Sequence, residues 1–174
     1  MRLVGSHAVY VVSYVLALLG LPAHYSAESQ RMGKLGLIGF LMALTGTTLL
    51  AISSMFGFIA PVLAGEAPET LDAISLYLPV VVFNGFAAVG FMTGFVILGI
   101  AMARSKVFPR WSGILMEVGA PSYLVGFGIA QLASSAFWFV AVLGSLFLGS
   151  GLAWSGYRMW VNPGLAGTTP DPTR

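Results

Sequence analysis

Long apolar stretches, interrupted by short polar clusters, dominate the chain. A helix needs about 20 apolar residues to cross the hydrocarbon core of a bilayer. Stretches near residues 3–21, 35–60, 79–103, 111–133 and 137–160 meet that requirement. Pro22 is read as ending the first stretch and Pro61 as bounding the second. None shows the short runs of alternating polarity that build a membrane β-barrel. The pattern predicts an all-α fold, a transmembrane helical bundle of five spans. It forms a single domain over residues 1–160, followed at 161–174 by a flexible cytoplasmic tail marked by Pro163, Pro170 and Pro172.

The longest polar interruption separates the second and third stretches. There Leu71, Ile74 and Leu78 keep helical spacing behind Pro68, Glu69 and Asp72, residue types that suit a helix start. A short helix lying in the outer interface is expected, with an irregular acidic loop as the alternative. A loose internal repeat also emerges. Leu19-Gly20-Leu21 parallels Leu98-Gly99-Ile100, and the run from Gly39 to Leu44 parallels that from Gly113 to Val118. It suggests two hairpins of the same orientation plus one helix.

Charge orients the bundle. With five spans, Arg31, Lys34, Arg104, Lys106, Arg110, Arg158 and Arg174 all fall on one side. Arg2 stands opposite, with Glu66, Glu69 and Asp72. Cytoplasmic loops carry the excess of Lys and Arg, so the N-terminus is expected outside and the C-terminus in the cytoplasm. A cleaved signal peptide is the rival reading of the N-terminal stretch. Around Pro22 to Ser29 only Ala27 and Ser29 offer small residues for cleavage, so a retained anchor is expected.

Composition agrees. Of 174 residues, 57% are hydrophobic and 8% charged, against about 45–50% and 25% in soluble domains. Mean hydropathy is +0.90. So few charges cannot coat a water-soluble globule, which excludes a nucleic-acid binder, a soluble enzyme and a disordered chain. The partner demanded is the lipid bilayer, with a membrane-protein partner or a homo-oligomer as further expectations. The lack of cysteine excludes disulfides and thiolate chemistry.

From Arg104 to Leu115 an Arg closes one span, and Pro109-Arg110-Trp111-Ser112-Gly113-Ile114-Leu115 opens the next. With the glycine-spaced start of the second stretch (Gly33, Gly36, Gly39), this resembles small multi-span bacterial membrane proteins of uncharacterised function. The resemblance implies a bacterial inner-membrane protein and brings no activity with it.

The candidate polar residues are few. Glu117 is the one acid inside a span, about 9 Å from the edge marked by Trp111. An intramembrane carboxylate is a functional hypothesis by default. Here it is read as clamped to Arg158 on the fifth span, with a proton carrier as the alternative. Asn84 is expected to hydrogen-bond between helices or to bind a ligand, and Gln131 to lie at the interface. His7 and His24 are about 25 Å apart along one helix, too far to share a haem, and are read as interfacial. No HExxH, GxSxG or P-loop pattern occurs, so no catalytic residue, metal or cofactor is expected. Gly90 and Gly94, with Ser145 and Gly149 on the fifth span, are expected to line packing seams. Trp111, Tyr157 and Trp160 suit one interface belt, and Phe137, Trp138 and Phe139 the other.

The function these features favour is a non-enzymatic accessory or assembly subunit, or a binder of an apolar molecule. The alternative is a small transporter or proton-coupled carrier that uses Glu117 and Asn84 and breaks its fourth helix at Pro121.

Overall fold

A computed structural model describes residues 2–66, 68–133 and 135–162. From Pro163 onward the expected tail lies outside the described residues, as do the side chains of His7 and Asp72. Five helices are long and apolar enough to cross a membrane: Ala8–Ala27, Ser29–Ala60, Leu78–Ser105, Arg110–Gln131 and Trp138–Val161. The first two belong to one helical run, α1 (Arg2–Glu66). They are followed by α2 (Pro68–Leu76), α3 (Leu78–Ser105), α4 (Arg110–Leu132), a 3-10 turn (Ser135–Phe137) and α5 (Trp138–Val161).

Gly33 divides α1 into two arms. It adopts φ 58° and ψ −153°, a conformation outside the helical region that is essentially restricted to glycine. The chain doubles back there. Tyr25 on the first arm stacks on Phe40 of the second at 4.5 Å, and Tyr14 lies beside Ser54. Contrary to the proline-based reading, Pro22 and Pro61 both sit within helix, and the first arm ends at the glycine. The reason is the solvent. A proline loses one N–H bond, but breaking the helix in hydrocarbon would expose several unpaired backbone groups. The same holds for Pro121, through which α4 runs without interruption.

The expected short helix before the third span is present as α2, with Pro68 first and Glu69 in its first turn. Tyr77 then takes an extended conformation and α3 starts, with a proline in its first turn. At its other end Lys106 turns left-handed (φ 58°) and ends the helix.

Neighbouring helices meet at backbone contact. On the second arm of α1, a Cβ added at Gly39 would lie 2.6 Å from the Leu98 nitrogen, and one at Gly46 would overlap the backbone of Phe91. From α3, a Cβ at Gly94 would overlap Ala43, and one at Gly99 would lie 2.6 Å from the Gly113 carbonyl oxygen. Gly119 and Gly126 of α4 meet Leu148 and Ala141 of α5 in the same way. These pairings run antiparallel. The buried residues of α5 are Ala141, Gly144, Gly151 and Ser155. Leu148, partly buried, fills the gap in that stripe, which recurs at the alternating three- and four-residue steps of a coiled-coil seam. The expected pair Ser145 and Gly149 lies off the seam: Ser145 is exposed, and an added Cβ at Gly149 meets nothing.

Phe95, Leu98, Met102 and Met116 fill the interior. Leu19, Phe86 and Leu146 point outward, as a lipid-facing surface requires. The antiparallel order gathers exposed Arg31, Lys34, Arg104, Lys106, Arg110 and Arg158 at one end, the cationic end.

The seams separate glycines that look alike in sequence. Gly46→Ala and Gly94→Ala should each destabilise the protein by about 1–3 kcal/mol, the usual effect of overpacking. Gly90→Ala should be tolerated, because its Cβ would sit 3.5 Å from Gly46, an ordinary contact. Gly149→Ala should be neutral. Thermal unfolding in detergent measures all four.

Candidate functional site

Two polar pairs tie the first arm of α1 into the bundle. The hydroxyls of Tyr14 and Tyr123 lie 3.1 Å apart, joining the first and fourth spans. The ring of Tyr123 is 6.1 Å from Phe91 and 6.2 Å from Phe127. Aromatic belts place tyrosine at membrane interfaces. Tyr14, eleven residues past Leu3 in the first stretch, is too deep for such a belt, and that depth is the sequence feature that marks this pair.

The second pair lies towards the cationic end. His24 is 4% exposed and Ser155 fully buried. Nδ1 of His24 is 2.8 Å from the Gly20 carbonyl oxygen. A carbonyl cannot donate, so Nδ1 carries the hydrogen, and in the neutral ring Nε2 accepts from the Ser155 hydroxyl. Carbonyl oxygens of Gly151 and Leu152 stand 2.9 and 3.0 Å from the same hydroxyl as alternative acceptors. Phe108 covers the imidazole at 6.2 Å. His24 thus faces inward and bridges helices. Both ring nitrogens are engaged, which leaves neither free for an axial ligand. Among the described residues no three His, Cys, Asp or Glu side chains group as a metal site.

Asn84, exposed on α3, accepts a 2.6 Å bond from Ser53 on the second arm of α1. That is the interhelical bond expected of it. Glu117 does not meet Arg158. Ser112 and Gly119 of α4 face Gly151 and Leu148 of α5, so Glu117 is level with residues near 149. Arg158 lies about 12 Å further along the axis. The rotation differs too: Ser112, Met116 and Gly119 turn towards α5, whereas Glu117 turns towards α3, close to Gly99. The expected clamp is therefore not formed, and Arg158 stands exposed at the end of α5.

Glu117 instead forms part of a groove between α3 and α4 at the cationic end. Its cavity measures about 590 Å³. Arg104 and Arg110 line it with Trp111, and Ile100, Ala103 and Ile114 supply apolar wall. Arg110, Ile114 and Glu117 recur along one stripe of α4 at helical spacing. The groove joins residues of two spans that flank one short loop, and it is the candidate site. Comparison with protein-family models, with curated proteins and with solved structures returns no match.

Double-mutant cycles distinguish the real bridge from the expected one. His24→Ala with Ser155→Ala should show a coupling of about 0.5–2 kcal/mol, the range found for hydrogen bonds between membrane helices. Glu117→Gln with Arg158→Gln should be additive. Detergent unfolding of the four single and two double variants is the readout.

Proposed function

We propose that the chain is a non-enzymatic accessory or assembly component of the bacterial inner membrane, with its N-terminus outside and its C-terminus in the cytoplasm. The observation that carries this reading is the closure of the interior. His24, Thr47, Ser112 and Ser155 are the buried polar side chains among the described residues, and each is hydrogen-bonded within the bundle. Large side chains and glycine contacts occupy the space between helices, which disfavours an apolar ligand held inside. A bundle so built presents its outer surface to a partner, either another membrane protein or a second copy.

The transport reading has less support. Transporters commonly place substrate groups near the midplane on discontinuous helices. Here α4 is continuous, and Asn84 and Glu117 act at levels about 22 Å apart. The orientation rests on the cluster of cations at one end.

Two experiments test these points. Photo-cross-linkers placed at the lipid-facing positions Phe86 and Leu146 should give a discrete protein adduct in native membranes. Reconstituted protein that takes up protons or solute through Glu117, without any such adduct, would overturn the accessory reading. For orientation, Lys106→Cys in this cysteine-free chain should react with an impermeant reagent only after permeabilisation. Reaction in intact cells would reverse the topology.

A further inference from the structure

We propose that the groove between α3 and α4 binds the headgroup of a monoanionic phospholipid. The phosphodiester sits between Arg104 and Arg110, and an acyl chain runs along Ile100 and Ile114, past Glu117. This holds whether or not a partner protein docks elsewhere on the bundle.

Position, shape and charge converge on that ligand. The two guanidiniums come from opposite sides of a loop at the membrane-proximal, cationic end of the bundle and line a single cavity of about 590 Å³. Basic pockets between spans at such a level recognise lipid phosphates. Guanidinium groups suit phosphate through paired, charge-assisted hydrogen bonds. Among the described residues no side chain caps the start of α4 at Arg110, and the positive end of the helix dipole adds to the potential there. Trp111, 72% exposed beside Arg110, is placed to sit among headgroups. Ile100 and Ile114 continue the wall into the hydrocarbon.

Glu117 narrows the choice. Two guanidiniums and one carboxylate give the cavity a formal charge of +1, which matches one phosphodiester. A zwitterionic headgroup would leave that charge unmatched. A phosphomonoester, at about −1.5 to −2, would press surplus negative charge against Glu117. Among the described residues Arg158 and Lys106 lie outside this lining, which makes them controls for general surface attraction.

Native mass spectrometry of the full chain, exchanged among phosphatidylglycerol, phosphatidic acid and phosphatidylethanolamine, tests the assignment. The parent should retain one phosphatidylglycerol about tenfold more tightly than phosphatidylethanolamine. Arg104→Gln with Arg110→Gln should remove that preference, and the corresponding pair of Lys substitutions should restore part of it. Glu117→Gln should keep lipid binding but shift preference towards phosphatidic acid. Arg158→Gln should change nothing. Unchanged phosphatidylglycerol retention in the double Gln variant overturns the proposal, as does an equal loss in Arg158→Gln. If the double Gln variant fails to fold, the Lys pair decides: retention no different from bulk lipid in a folded Lys variant, with the parent equally indifferent, overturns it. Displacement of the lipid by free glycerol 3-phosphate at equal concentration would identify a soluble phosphate site and overturn the lipid assignment.

Discussion

Lipid tails are as apolar as leucine, so helices in a bilayer gain little by hiding apolar side chains from their surroundings. They associate through close van der Waals contact and interhelical hydrogen bonds. In this bundle the first term is met by glycine. Gly46 against Phe91, Gly94 against Ala43, Gly99 against Gly113, and Gly144 against Tyr123 bring backbones together with no room for a Cβ between them at the tightest points. Each contact fixes the level and rotation of one helix against the next. Ser53 reaches Asn84 because the seam between the second arm of α1 and α3 has already set those residues opposite one another, whereas the first arm of α1, outside these seams, is held by Tyr14 on Tyr123 and His24 on Ser155.

The same constraint accounts for what the amino-acid pattern does and does not reveal. Span number depends on apolar length, a one-dimensional property, and all five spans are legible. The short helix α2 was legible from Pro68, Glu69 and the spacing of Leu71 and Ile74. Proline was a poor guide to helix ends, because hydrocarbon penalises a broken helix more than one missing N–H. Gly33, with a left-handed φ, marked the true reversal.

Side-chain partners needed information that no linear pattern holds. Glu117 and Arg158 are both polar residues near one end of adjacent spans, and on that ground a clamp is reasonable. A difference in axial level, together with one residue step of about 100° around α4, sends Glu117 towards Gly99 and the groove with Arg104 and Arg110. One step likewise separates the expected pair Ser145 and Gly149 from the seam residues Gly144 and Leu148. The groove residues were visible individually as interfacial cations and an aromatic anchor. Their convergence depends on the α3–α4 register.

That register hierarchy can be measured directly by oxidative cross-linking on the cysteine-free chain. Ser53 and Asn84 touch across the seam formed by Gly46 and Phe91. Ser53→Cys paired with Asn84→Cys should form a disulfide rapidly in membranes. The pair Ser53→Cys with Ala88→Cys, one turn along α3, should form it far more slowly. Rapid bonding at the displaced pair, with none between positions 53 and 84, would contradict the seam as the element that sets the bundle.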